Sequence, residues 1–584
     1  MIDLVIRGGT VVDGTGSAAR TADVAVDGGL IVEVGRVSTR ARREIDASGL
    51  LVTPGFVDMH THYDAQVTWD PFLSPSSEHG CTTVVMGNCG VGFAPAAPEK
   101  RDWLIALMEG VEDIPGAAMH EGIEWAWESF PQYLDAIEGK PHLIDFGTQV
   151  PHGALRAYVM GERGAANEEA TAEDIAIMAR LVGEGIEAGA LGFSTSRTML
   201  HKSIYGEPVP GTFASPAEIF GIGRELGRLG KGVYQLAIGH LQVPESFGWM
   251  KTLADEIQRP VLFNISQTDE APELWRDLVR MLDEAERDGT PIYGQAAGRA
   301  IGIVMNWELT AHPFVAFPSW LQTMGKTRQE RRAMLRDPAF RARLLSESPM
   351  NFEDLKFFLP QNFDGEFATF VTRSFDKMYP LNDRVDYEPT ADQSVAALAL
   401  ATGRSPLEIA YDAMAENDGE GMLYFPLFNY ADKNLDMLRI LHAHPRTRMG
   451  LSDGGAHCGA ICDGGMPTFM LTHWTRDRSR GERLGLEHVI MRQTSATART
   501  YGLMDRGVLA PGFKADLNII DYDRLRFLRP EVVYDLPAGG RRLLQHAEGY
   551  VATICGGQPI YEHGQPTGAT PGRLIRGAQR APRP

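Results

Sequence analysis

The stretch Pro54-Gly55-Phe56-Val57-Asp58-Met59-His60-Thr61-His62 decides how this chain is read, because it sets two imidazoles two residues apart at the end of an apolar run. In a strand, residues i and i+2 share a face, so His60 and His62 aim at one point, and that point could hold a metal ion. Leu50-Leu51-Val52-Thr53 supplies an apolar approach, and Pro54-Gly55 is a turn from which a new strand begins. Taken alone, the alternation has a plainer reading as two polar positions on a half-exposed strand.

Outward from that pair the context accumulates. Asp64 follows as HxHxD, and further runs are Gly80-Cys81-Thr82-Thr83-Val84-Val85-Met86-Gly87-Asn88-Cys89-Gly90 and Gly189-Ala190-Leu191-Gly192-Phe193-Ser194-Thr195. Later come Leu451-Ser452-Asp453-Gly454-Gly455-Ala456-His457 and Gly507-Val508-Leu509-Ala510-Pro511-Gly512-Phe513-Lys514-Ala515-Asp516-Leu517. In this order and over nearly the whole chain, they resemble the amidohydrolase superfamily, and within it the N-acyl-D-amino-acid deacylases. The resemblance implies a hydrolase acting on a C–N amide bond. It implies an α/β fold, a (β/α)8 TIM barrel inserted in a small β-sandwich domain built from both chain ends. It also implies that Cys89 is a zinc ligand and that Asp453 is the late-barrel aspartate of the site.

Composition agrees. A barrel with insertions and one accessory domain accounts for 584 residues, and 43% apolar content is ordinary for a globular chain. A formal charge of −20 argues against nucleic acid or an anionic membrane as partner, which leaves a small-molecule substrate. No run approaches the roughly 20 apolar residues that span a bilayer. Met1-Ile2-Asp3-Leu4-Val5-Ile6 reads as a strand rather than a secretory leader, so the expected location is cytoplasmic. Five cysteines do not make a disulfide framework; Cys81, Cys458, Cys462 and Cys555 read as free thiols. A homo-oligomer is compatible with all of this.

Residues 1–54 carry short alternating runs separated by glycine turns, and the same character returns within 506–584, at Ala515–Ile520 and Val551–Gly557. Segments from opposite ends can pair in one sheet, with the barrel over 55–505 inserted between them. Strand candidates there are Leu143–Gly147, Ala190–Phe193, Gly232–Ala237, Val261–Ile265 and Ile292–Gly294, alternating with helices such as Thr171–Ala188 and Ser215–Leu229. The aromatic stretch 299–383, with a basic helical section at Arg328–Arg343, reads as an insertion over the barrel mouth. Its aromatics and the tryptophans Trp125, Trp127, Trp249, Trp275 and Trp307 suit either an apolar substrate portion or plain core.

Imidazole, thiolate and carboxylate together suit a borderline-soft divalent ion such as Zn2+, one or two per site. His60, His62, Cys89 and Asp453 offer that mixture, and Asp453 doubles as the catalytic base that takes a proton from water and passes it to the leaving nitrogen. As alternatives, Cys89 is a buried inert thiol and Asp453 a turn residue. Asp58 and Asp64 serve as partners of the imidazole N–H groups or as turn acids. His457 orients Asp453 or substrate, or lies on a loop surface.

The chain departs from the deacylases at two further metal histidines, expected at the ends of the fifth and sixth strands. His240 is the candidate for the first, with a loop or core role as the alternative; near the second stand Asn264 and Gln267, neutral amides and poor zinc ligands. An acylamino acid carries a carboxylate, for which Arg197, Arg299 or Lys202 could be the anchor. Two other readings stay open: a catalytically degenerate binding protein, and a lactonase or cyclic-amide hydrolase.

Overall fold

Eight short strands close around one another, each of them covered on both faces. The computed structural model describes residues 1–355, 365–381 and 383–583, so residues 356–364 and 382 of the expected insertion lie outside the described residues. The barrel strands are β1 (Phe56–Asp58), β2 (Cys81–Met86), β3 (Asp145–Pro151), β4 (Gly192–Arg197), β5 (Val233–Ile238), β6 (Val261–Asn264), β7 (Ile292–Ala296) and β8 (Thr447–Met449). They form one sheet in sequence order, parallel throughout. Almost every strand residue is buried, as a parallel sheet covered on both faces requires. The ring closes past the ends of β8 and β1, where Thr61 bridges Gly454 in parallel and the His62 N–H donates to the Gly454 carbonyl at 2.8 Å.

The intervening helices start where the chain supplies caps. Thr171 accepts from the Asp174 N–H ahead of helix Ala172–Ala188, with Asp174 returning the bond, and Ser215 caps Pro216–Leu229. The basic section expected as one helix is two, Arg328–Arg336 and Pro338–Ser346. Pro338 has no N–H to continue the first, and the Asp337 carboxylate caps the second at the Ala339 N–H, 2.9 Å away.

Both chain ends enter a second sheet of nine strands, in which Leu51–Pro54 pairs antiparallel with Leu517–Ile520, and that strand with Tyr550–Cys555. The sheet curls over an apolar core that includes Ile6, Val24, Val52, Leu517 and Ile554. Its far strand Leu30–Gly35 meets the C-terminal half, with the Ile31 N–H donating to the Phe513 carbonyl at 2.8 Å. The connection from β7 to β8 spans 297–446 and takes in the 299–383 stretch; its strand Met422–Pro426 pairs with Gly302–Met305 and with Tyr379–Leu381. Among the described residues, no helix is long and apolar enough to cross a membrane.

Candidate metal centre

β1 ends at Asp58, and His60-Thr61-His62 continues as extended chain held against the loop after β8. The Asp453 N–H donates to the His60 carbonyl at 3.1 Å, and the Ser452 hydroxyl donates to the same carbonyl and to the Asp58 carboxylate. This backbone pairing preserves the alternation of a strand, so the two rings lie 5.4 Å apart between centroids.

Cys89 reaches the same point from the end of β2 through a turn with Gly87, Cys89 and Gly90 all at positive φ, 76°, 56° and 73°. The Asn88 amide ties that turn to the Thr61 and Val85 carbonyls. Asp453 arrives from β8 in the left-handed region too, at φ 49°, flanked by Leu451 at 58° and His457 at 52°. Non-glycine residues held there cost of order 1–3 kcal/mol each, so the surrounding bonds dictate these conformations.

Among the described residues, His60, His62 and Cys89 are the cluster of possible metal-binding side chains whose ligand atoms all lie within 4.8 Å of one another. His60 Nε2 stands 3.3 Å from the Cys89 sulfur. Asp453 Oδ1, buried and without a hydrogen bond of its own, lies 3.4 Å from His60 Nε2 and 3.6 Å from His62 Nε2. Two imidazole nitrogens, a thiol and an unsatisfied carboxylate oxygen about one point are the donor set that a divalent ion such as zinc takes.

The neighbours prepare that set. Gln295 Oε1 on β7 lies 2.8 Å from His60 Nδ1, an arrangement in which Nδ1–H donates and the Nε2 lone pair faces inward. Burial pulls His60 down to about 4, so it is neutral and able to ligate. Burial also opposes charge on His62, but Glu112, Asp453 and Cys89 outweigh it and hold that imidazole well above its usual range. Glu112 Oε1 lies 3.3 Å from His62 Nδ1, and Glu112 Oε2 lies 3.6 Å from His457 Nε2. Burial pushes the Cys89 thiol up to about 11 against the pull of His62, so its loss of a proton needs a cation beside it. Burial works against the Asp453 charge as well, yet His62, His60 and His457 together keep its carboxyl below the usual range.

These groups form the floor of a cavity of about 1200 Å3 roofed by the β7–β8 connection. His457 lines it, 3.8 Å from Asp453 Oδ2. His240 lines it too but is not brought into the cluster: its Nδ1 lies 3.0 Å from the Asn264 amide and its ring packs on Phe428. Asn264 itself, last residue of β6, is engaged by the Ile238 N–H and carbonyl, and Gln267 bonds Asp432 and Pro272 instead.

Arg197 and Arg299, expected as substrate anchors, are absent from the cavity wall. Arg197 donates to the Ala214 carbonyl and lies over Trp249. Arg299 is buried, paired with Asp463 at 2.8 Å and stacked on Tyr387, so its charge is spent inside the core. Lys202 does line the cavity, and of the five tryptophans singled out only Trp307 does. Asp58 accepts from the His60 backbone N–H and Asp64 from that of Gly87, so both brace backbone rather than imidazole.

Sequence reasoning passed over Glu112 and three glutamines. Gln295 orients His60, Gln235 Oε1 on β5 accepts the Cys89 N–H at 3.0 Å, and the Gln149 amide on β3 donates to Asn88 Oδ1 at 2.9 Å. A glutamine inside a buried barrel strand is a readable signal, since its amide is costly to bury unless something uses it. Glu112, in the last turn of helix Arg101–Glu112, has no such mark: its surroundings in sequence match those of a solvated charge.

A parallel barrel bearing imidazole, thiol and carboxylate donors at the C-terminal ends of its strands defines a barrel hydrolase built around a metal centre. The chain belongs to the amidohydrolase family, which matches residues 43–561, and is an enzyme acting on carbon–nitrogen bonds other than peptide bonds. It is 28% identical to a D-aminoacylase of Alcaligenes xylosoxydans xylosoxydans over 98% of this chain and 97% of that one. It is 34% identical to an N-acyl-D-glutamate deacylase of the same organism, over 38% of this chain and 41% of that one. Among solved structures, a D-aminoacylase shares the fold at TM-score 0.64, with 24% identity over 99% of this chain and 100% of that chain. The N-acyl-D-glutamate deacylase of Bordetella bronchiseptica, solved with zinc and a phosphonate inhibitor, matches at TM-score 0.64, with 21% identity over 98% of this chain and 99% of that chain.

Proposed function

We propose that this chain is a metal-dependent deacylase that cleaves the amide bond of an N-acyl compound, with N-acyl-D-amino acids as its class, and that it works with a single Zn2+. The observation that carries the reading is the convergence of His60, His62, Cys89 and Asp453 on the floor of one cavity. The similarity to a D-aminoacylase across nearly the full chain supports the D-configured class. A single ion is favoured because the described residues gather one cluster of imidazole and thiol donors, joined by Asp453, and the nearby Gln235 and Asn264 are neutral amides, poor zinc ligands beside imidazole. In this reading residues 55–505 are the catalytic unit, carried on 1–54 and 506–584.

His60, His62, Cys89 and Asp453 would hold the ion, which when bound polarises a carbonyl and lowers the pKa of water. Asp453 is the proton carrier: its carboxylate stands at the cavity floor, accepts a proton from water and delivers it to the leaving nitrogen. His457, beside both Asp453 and Glu112, orients that carboxylate. The β7–β8 connection lines one side of the cavity above these groups.

Metal analysis of the purified chain, with amine release from paired N-acetyl-D- and N-acetyl-L-amino acids, tests this. One zinc per chain and turnover confined to the D-series are expected. If zinc, manganese and cobalt neither bind nor change the melting temperature, the hydrolase reading falls; two ions per chain would overturn the single-ion centre.

A further inference from the structure

The cavity is far larger and more apolar than a short N-acetyl amino acid needs. Its volume of about 1200 Å3 exceeds the roughly 300–1,000 Å3 of usual ligand pockets. Above the donor floor the β7–β8 connection contributes Ile301, Ile303, Trp307, Val315, Trp320 and Phe428 to the wall, with Thr310, His312, Thr323 and Arg331 among them. Trp307 and Trp320 pack against each other at a tilt, 5.2 Å between ring centroids and 38° between planes, and so make a continuous aromatic surface.

The apolar lining continues outward. Met199, Leu200, Tyr205 and Met324 line the same cavity yet are 45%, 57%, 57% and 51% exposed. Large side chains so exposed along one cavity carry a hydration cost that an apolar partner removes, and two methionines suit a partner of variable shape. Arg197 and Arg299 are spent elsewhere in the fold, so the cations that line the cavity are Lys202, Arg331, paired with Glu308, and Arg541.

We propose that the substrates of this site are amides bearing one long apolar arm, which lies along the insertion wall and emerges between Met199, Leu200, Tyr205 and Met324. This rests on the deacylase reading above and names its substrate class. The scissile amide sits at the metal-donor floor, and the arm belongs to either the acyl or the amine side.

The test uses the zinc-loaded full chain and two series on one D-amino-acid scaffold: acetyl, hexanoyl and decanoyl on the acyl side, and methyl to decyl esters of the N-acetyl compound on the amine side. With each buried methylene contributing a factor of about 4, kcat/KM is expected to rise at least about 100-fold along one series. The series that rises identifies the side that carries the arm. Leu200→Asp, at an exposed position, should lower the decanoyl or decyl rate about tenfold more than the rate of its short counterpart. Activity that is flat in both series overturns the proposal while leaving the deacylase reading standing. If no compound is turned over although zinc is bound, titration calorimetry with decanamide against acetamide decides: saturable binding of decanamide alone supports the apolar arm, and equal or absent binding overturns it.

Discussion

Replacing Glu112 with glutamine should weaken metal binding without altering the fold. The carboxylate is buried, 3.3 Å from His62 Nδ1 and 3.6 Å from His457 Nε2, and Gln keeps its size and one acceptor oxygen. At an effective dielectric of about 20, a unit charge at 3.3 Å is worth about 5 kcal/mol, a ceiling that desolvation and relaxation reduce. Loss of such a ligand-orienting partner costs about 10–100-fold in metal affinity, or about 1.4–2.7 kcal/mol. The same charge also favours a proton on His62, so the substitution eases proton release as well as weakening the ion; the ion carries the larger charge, and the net effect is weaker binding. Competition titration of zinc against a chelator at fixed pH measures this directly. Calorimetry in buffers of different ionisation enthalpy should show fewer protons released by Glu112→Gln than by the native chain. An affinity within threefold of native, with unchanged proton release, would refute the argument that Glu112 supports His62.

Asp453→Asn should cut turnover by about 10²–10⁴-fold while circular dichroism stays native, and a near-native rate would remove Asp453 as the proton carrier. Gly90→Ala places a Cβ 2.7 Å from the Ser196 nitrogen and 2.9 Å from the Thr195 Cα at a φ of +73°. Strain and overpacking should destabilise the chain by about 2–5 kcal/mol, visible as a lower melting temperature and lower zinc content. Asp145 on β3 is buried, accepting from Arg506 Nη1 at 2.6 Å and from Lys514 Nζ at 2.7 Å. Asp145→Asn removes the carboxylate that the two cations share, leaving Arg506 with Asp505 and Lys514 with Asp516, and should cost about 3 kcal/mol. Burial works against the Asp145 charge, but Lys514 and Arg506 hold its carboxyl below the usual range. Its contribution is therefore full above the unfolded carboxylate pKa of about 4 and lost as pH falls through the folded value. Thermal melts across pH 3–7 should show the native chain losing its advantage over Asp145→Asn toward the acid end; a constant difference would contradict the ion-pair account.

Much of this protein can be read without coordinates because its signals are periodic or local. Apolar runs alternating with helical patterns located β3 to β7 and the helices at Thr171–Ala188 and Ser215–Leu229, since each depends on neighbours a few residues away. His60 and His62 were candidates from their alternation, Cys89 and Asp453 from the family resemblance, and the structure sets each just beyond a strand end, where the ends of parallel strands meet in a barrel.

What the chain could not disclose is where charge is spent. Arg197 and Arg299 are indistinguishable in sequence from substrate anchors, yet packing against Ala214 and Asp463 consumes both. Glu112 looks like a solvated residue, and only the seating of its helix against the barrel mouth turns it toward His62 and His457. His240 had a plausible spacing, but its neighbours Asn264 and Phe428 claim it. Sequence by itself determined the order of strands, because that follows from short-range pattern, and its resemblance to the amidohydrolases pointed to the candidate donors at their ends. Tertiary structure alone decided which charges face the cavity and how apolar that cavity is, because those depend on residues hundreds of positions apart competing for the same partners.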